Sequence, residues 1–231
     1  MLALSHIDSY YGASHILHDL SVEARGREIL AVLGRNGVGK TTLLKTIMGL
    51  TDRCTGTLVL DAKDFSTAAT FERARAGIGY VPQGRQIIPD FTIRENILMG
   101  GFAAANGGGR IPDTVAELFP YLMDNLDRPG GVLSGGQQQQ LAIARALAME
   151  PSILLMDEPT EGIQPNIVEQ IEQTIVRLNK EFELTIILVE QNVRFAREAA
   201  DSFVMMENGR VVEADAIDGL TDAIIAKHMT I

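Results

Sequence analysis

Residues 34–41 read Gly34-Arg35-Asn36-Gly37-Val38-Gly39-Lys40-Thr41. They follow the apolar run Ile29–Leu33 directly and open a helical pattern over 41–48 that stops at Gly49. Strand, glycine loop, Lys-Thr and helix make up the context a phosphate-binding loop requires. The glycines let successive backbone N–H groups turn inward on phosphate oxygens, and the helix start adds partial positive charge. Lys40 can then reach the β and γ phosphates, and the Thr41 hydroxyl can ligate Mg²⁺. A glycine turn without that task has no reason to place Lys-Thr at this offset.

The rest of the chain supplies an α/β frame for such a loop. Of 231 residues, 46% are hydrophobic, and at this length folding hides roughly 70% of the extended surface. Short apolar runs at 29–33, 57–60, 153–156, 185–189 and 203–206 read as buried strands. From 166 to 182, Ile167, Ile171, Ile175, Leu178 and Phe182 mark one helix face. Strands alternating with helices imply a largely parallel sheet. Asn208-Gly209 between 203–206 and 210–212 predicts a hairpin, because both turn positions want positive φ. The middle differs. From about 89 to 131 no strand pattern stands out, 92–99 and 114–125 look helical, and Gly107-Gly108-Gly109 and Pro129-Gly130-Gly131 punctuate them. The expected organisation is one domain over 1–231. Its α/β core spans about 1–88 and 132–231, and a helical subdomain at about 89–131 is inserted into it. Further helical stretches follow at 193–200 and 220–227.

Thirty acidic against twenty basic residues leave a formal charge of −10. That disfavours nucleic acid and anionic lipid as partners, since both attract Lys and Arg. Cys54 is alone, so neither an intrachain disulfide nor a cysteine-rich metal site is expected. The first residues lack a basic start followed by an apolar run, so no signal peptide is expected. No stretch approaches the ~20 apolar residues of a bilayer span. Any membrane role would need a partner that supplies the membrane part.

Two further motifs carry chemistry. The run 153–156 ends in Asp157-Glu158. Ligands bind at the carboxyl ends of strands in an open parallel sheet. Asp157 is therefore placed to hold Mg²⁺, directly or through water, and Glu158 to polarise a water for attack on a γ-phosphate. Leu133-Ser134-Gly135-Gly136-Gln137 precedes a helical pattern over 138–149, with Ser134 as a good N-cap and glycines that expose backbone N–H groups. This is a second phosphate-binding helix start. One chain with two such sites suggests a dimer in which each ATP lies between one chain's P-loop and the other chain's Ser134, Gly135, Gly136 and Gln137.

Taken in order, these motifs resemble the nucleotide-binding subunits of ABC transporters over nearly the whole chain. The resemblance implies a P-loop NTPase (RecA-like) α/β body with a mostly parallel sheet, an N-terminal antiparallel β part and the inserted helical subdomain. It implies ATP and Mg²⁺ as ligands. Gly34, Asn36, Gly37, Gly39, Lys40, Thr41 and Thr42 would hold the nucleotide, and Thr41, Gln83 and Asp157 the metal. Gln83, in Tyr80-Val81-Pro82-Gln83-Gly84, corresponds to the family's Q-loop glutamine. Tyr11 sits where the family places an aromatic against adenine, with Tyr10 in reserve. Glu158, Lys40 and Gln191 would carry catalysis. Gln191 follows the 185–189 run where most of the family has a switch histidine. A glutamine amide can donate a hydrogen bond but does not titrate near neutral pH. Gln164 likewise replaces the usual aspartate of the loop after Glu158.

Those departures, with Pro82-Gln83-Gly84-Arg85 and Val189-Glu190-Gln191, resemble the branched-chain amino acid importer family. Glu161-Gly162-Ile163-Gln164-Pro165, Tyr10-Tyr11-Gly12, Ser14-His15-Ile16-Leu17 and the four glutamines 137–140 resemble its urea and short-amide branch. The resemblance therefore implies an ATPase that energises uptake of a small polar solute, urea or a short amide, with a branched-chain amino acid as the alternative. It implies integral membrane permease subunits as partners and a second, homologous or identical ATPase chain in an ATP-sandwich dimer. A periplasmic or extracellular solute-binding protein would act indirectly. The place implied is the cytoplasmic face of the inner membrane, peripheral through the permeases, with the isolated chain soluble. A soluble ABC ATPase uncoupled from transport is the reading from another class. A P-loop kinase has no use for residues 133–137.

Overall fold

The computed structural model describes residues 1–104 and 109–229. Gly107 and Gly108, read as punctuation between helices, lie outside the described residues. In chain order the elements begin with β1 (Leu2–Tyr11), β2 (Ser14–Ala24), β3 (Ile29–Leu33), α1 (Lys40–Met48), β4 (Arg53–Leu60) and β5 (Lys63–Asp64). Next come α2 (Thr70–Arg75), β6 (Ile78–Val81), α3 (Ile93–Gly100), α4 (Asp113–Leu118), α5 (Pro120–Asp124) and α6 (Gly135–Leu147). The chain closes with β7 (Ile153–Asp157), α7 (Pro165–Lys180), β8 (Thr185–Val189), α8 (Val193–Ala199), β9 (Ser202–Glu207), β10 (Arg210–Ala216) and α9 (Asp222–His228). The described residues form two compact units, one drawn from 1–73 and 185–229, the other from 74–184.

In the first unit, an antiparallel sheet has the order β2-β1-β4-β5. β1 is irregular. Leu2 and Leu4 point inward, then Ile7 and Ser9 do, because the register against β4 slips between Ser5 and Asp8. His6 takes a positive φ of 52° at this bulge, and a side chain on Gly56 across from it would run into the His6 carbonyl. A second set of strands places β3 between β8 and β9, parallel to both, with β10 antiparallel to β9. All five residues of β3 and all five of β8 are buried, as expected for parallel strands covered on both faces. Asn208 (φ 45°) and Gly209 (φ 75°) make the expected two-residue turn between β9 and β10. At the C-terminus of α1, the buried Arg73 donates from Nη1 to the Thr46 and Ile47 carbonyls at 2.8 and 2.9 Å. A cation on orphan carbonyls is the favourable arrangement at this end of a helix.

In the second unit β6 runs parallel to β7, pairing Ile78 with Ile153 and Val81 with Met156. Among the described residues of 89–131 the structure contains helices, turns and a single isolated bridge between Thr92 and Pro129. Thr92 caps α3 in a reciprocal box with Glu95. The helix expected over 114–125 is two helices. Phe119 leaves the helical region (φ −130°, ψ 60°) because Pro120 follows it. α3 and α6 approach closely enough that a side chain on Gly100 would meet the Arg145 carbonyl.

Candidate functional site

The sequence-predicted site residues divide between the units. Tyr11, residues 34–42 and Gln191 belong to the first. Gln83, residues 134–137, Asp157 and Glu158 belong to the second.

β3 ends at Leu33 and the chain turns through Gly34 (φ 149°), Gly37 (φ 81°) and Gly39 (φ 107°). Two of these glycines are also needed for space. A Cβ on Gly34 would lie 2.5 Å from the Met206 carbonyl oxygen, and one on Gly39 would lie 2.9 Å from Leu17 Cδ2. Gly39 is the N-cap of α1 and offers no side chain to cap it, which leaves the helix start suited to an anion. Lys40 is 5% exposed. Its ammonium donates to the Gly34 carbonyl at 2.8 Å and to the Arg35 carbonyl at 3.0 Å, so it is folded over the loop it belongs to. Thr41 is half-buried and Thr42 buried on the first turn, while Asn36 is exposed at the loop's apex.

The Thr42 side chain of this helix acts on the Tyr11 phenol. Burial and the Asp52 charge push that phenol above the ordinary range, and Thr42 pulls the other way. Tyr10 is otherwise engaged: His15 stacks on it with centroids 4.3 Å apart, and the Arg53 guanidinium lies 3.9 Å from its ring centroid. Of the two aromatics, Tyr11 is the one acted on by the α1 helix, through Thr42. Gln191 leaves β8 two residues after Val189, whose partner in register is Val32 of β3. It therefore emerges at the same sheet edge as the P-loop. Buried Glu190 accepts from the Gln191 and Asn192 N–H groups at 3.0 and 3.2 Å, and Asn192 caps α8.

In the second unit β7 ends in Asp157, 1% exposed, with the Tyr80 hydroxyl 3.5 Å from its Oδ2. Glu158 follows at φ 46°, a left-handed conformation uncommon for a glutamate. Gln83 donates from Nε2 to Glu161 Oε2 at 2.7 Å and lies 3.4 Å from Glu158 Oε2. Ser134 caps α6 in a capping box with Gln137, and Gln137 Oε1 accepts from the Ser134 N–H at 3.0 Å. The helix starts three residues earlier than the pattern over 138–149 suggests, because both glycines lie inside its first turn.

The two glycines do more than bare the backbone. A methyl group on Gly135 would press 3.1 Å from Arg85 Nη1, and one on Gly136 would run into Ile167 Cγ2 of α7. Gly136→Ala is expected to overpack this contact at a cost of about 1–3 kcal/mol, read as a fall in Tm of ~2–10 °C. A melting temperature at or above that of the wild type would show that Ile167 yields. In the sequence Arg85 and Glu161 enter only as members of the runs 82–85 and 161–165 that carry the resemblance, with no role at the nucleotide. The signal for both is proximity to Gln83 and Glu158, and it becomes visible only when the loops are brought together.

Residues 17–161 match the model of the family described as ABC transporter. The chain is 39% identical over 216 residues to a high-affinity branched-chain amino acid transport ATP-binding protein, BraG, of Pseudomonas aeruginosa, covering 93% of this chain and 92% of that one. It is 36% identical to a probable branched-chain amino acid transport ATP-binding protein, LivF, of Archaeoglobus fulgidus, covering 91% and 90%. Among solved structures, the ATP-binding cassette MJ0796, as a post-hydrolysis dimer bound to ADP and Pi, superposes with a TM-score of 0.81. It is 26% identical, covering 95% of this chain and 100% of that one. The ADP conformation of the cassette MJ1267 gives a TM-score of 0.82 at 25% identity, covering 98% and 97%.

Proposed function

Because this chain belongs to the ABC transporter family, and is an ATPase of that family, we propose that it energises an importer for branched-chain amino acids. The observation that carries the nucleotide site is the loop 34–42. It has three glycines at positive φ, a helix start without a side-chain cap, and a buried lysine bent over the loop carbonyls. The branched-chain solute is supported by the names of the relatives at 39% and 36% identity. These names favour the alternative named from the sequence over the urea or short-amide reading.

In this mechanism Lys40 exchanges its loop carbonyls for phosphate oxygens, and the N–H groups at the start of α1 hold the same phosphates. Tyr11 lies against the adenine. Ser134, Gly135, Gly136 and Gln137 meet the triphosphate of a second ATPase chain, identical or homologous, in a sandwich dimer. Glu158 takes a proton from the attacking water as its oxygen bonds to the γ-phosphorus and the bond to ADP breaks, releasing phosphate. Gln191 donates a hydrogen bond to the γ-phosphate and holds no proton in transit. The donor set of Thr41 hydroxyl, Gln83 amide oxygen and Asp157 carboxylate suits a hard cation such as Mg²⁺, which keeps waters and shares phosphate oxygens. Among the described residues there is no cluster of three or more His, Cys, Asp or Glu placed to hold a metal, and this reading does not need one. The cation would neutralise charge on the phosphates.

No described helix is long and apolar enough to cross a membrane. Attachment to the cytoplasmic face of the membrane is assigned to permease subunits received near Gln83 and residues 85–99, with a solute-binding protein acting on the other side.

The test is uptake of labelled leucine and labelled urea in a strain lacking this chain. Loss of leucine uptake alone is expected. Loss of urea uptake instead would restore the urea reading, and normal uptake of both would leave an ATPase uncoupled from either solute.

A further inference from the structure

Arg85 follows β6 in the left-handed region (φ 67°), and Gln86 continues there (φ 45°). α6 holds this strained pair. Arg145 donates from Nη2 to the Arg85 carbonyl at 3.1 Å and from Nη1 to the Gln86 carbonyl at 2.7 Å. The Arg85 guanidinium reaches two other segments. Nη1 donates to Gln138 Oε1 on the first turn of α6 at 3.4 Å, and Nη2 to the Gly162 carbonyl in the loop before α7 at 3.2 Å. Its head also lies against Gly135, where an added methyl group would sit 3.1–3.4 Å from Nη1, Nη2 and Cζ. Two residues upstream, Gln83 bonds Glu161 of that same loop.

We propose that Arg85 is a positioning residue for the reaction. Its guanidinium locks the 134–137 turn to the loop that follows Glu158, so that both move as one piece with Gln83. It does this through Gln138, Gly162 and Gly135 and touches no reacting atom. The chemistry requires arginine. A planar fork can serve two acceptors in different directions while lying flat on a glycine, and an ammonium cannot. The role rests on the nucleotide reading above. The P-loop, in the other unit, is held by the Lys40 ammonium on the Gly34 and Arg35 carbonyls and by the Gly209 N–H on the Val38 carbonyl at 2.9 Å. Arg85 makes none of these bonds, so the nucleotide affinity of a single chain is not expected to depend on it.

The test uses the purified full chain as wild type, Arg85→Met, Arg85→Lys, Gln138→Leu, the Arg85→Met/Gln138→Leu double variant, and Lys40→Ala as reference. Hydrolysis kinetics, binding of a fluorescent ATP analogue at low protein concentration, and Tm are measured on each. Arg85→Met is expected to keep the nucleotide Kd within twofold while kcat falls about tenfold to hundredfold, since small misplacements of reacting groups cost that much. Arg85→Lys should recover less than half of the lost rate. The double variant should be no slower than Arg85→Met alone, because the two side chains act as one contact. A kcat for Arg85→Met within twofold of wild type overturns the proposal, as does full rescue by lysine. Nucleotide affinity that falls in step with Tm also overturns it, by making the role one of holding the fold. If Lys40→Ala is inactive while Arg85→Met is not, only this inference fails. If Lys40→Ala still hydrolyses ATP, the nucleotide reading itself fails.

Discussion

Lys40→Ala is expected to abolish measurable ATP hydrolysis and to weaken ATP binding by a factor of ~10²–10⁴. The side chain is 5% exposed, and its ammonium sits 2.8 Å from the Gly34 carbonyl and 3.0 Å from that of Arg35, at the mouth of the loop. In the proposed site it gives up those carbonyls for phosphate oxygens. Each charge-assisted hydrogen bond contributes about 1.5–3 kcal/mol. The carbonyls Lys40 leaves are neutral and the phosphates anionic, so the exchange gains charge attraction, and the stated range corresponds to about 2.7–5.4 kcal/mol at 1.36 kcal/mol per tenfold. Phosphate release and calorimetric titration with ATP measure the two effects, and thermal melting checks that the loop still folds. A hydrolysis rate equal to that of the wild type would remove residues 34–42 from the nucleotide site.

Glu158→Gln is expected to separate binding from chemistry. Losing a positioned general base lowers turnover by ~10²–10⁴, while the amide keeps the shape of the side chain. Its oxygen can still face the Gln83 amide, whose nitrogen lies 3.4 Å from Glu158 Oε2. The left-handed backbone at φ 46° is no harder for glutamine than for glutamate. The variant should therefore bind ATP, fail to release phosphate, and accumulate as an ATP-dependent dimer on sizing chromatography. Turnover at the wild-type rate would exclude Glu158 as the base. Slow turnover without a dimer would place Glu158 in the chemistry but remove the sandwich arrangement for the isolated chain.

The fold was legible wherever one short segment carries its own signal. β3 and β8 have the bounds expected from their apolar runs, and Asn208-Gly209 forms the expected hairpin turn with both φ angles positive. The α1 helix starts and stops where the glycines imply. β6 was missed because four residues with a glycine at the second position give a weak pattern. β1 and β2 entered only through the family resemblance. In β1 the inward face changes parity at the His6 bulge, which cancels the alternation a strand would show. The break at Phe119–Pro120 was legible in principle, since a proline forces the residue before it out of the helix.

Within the candidate site the same boundary recurs. The amino-acid sequence alone determined the P-loop backbone, the Ser134 cap and the carboxylates at the end of β7. Each depends on glycine φ angles, a helix terminus or a strand end within a few residues. Tertiary structure alone decided that Gln83 reaches Glu161, 78 positions away, and that Arg85 reaches Gly162, 77 positions away. It also decided that Gly136 is small because Ile167 packs on it. Such pairings depend on how loops from different strands come to rest beside one another. No local propensity carries that information, because the free energy of each contact exists only once the intervening chain has folded.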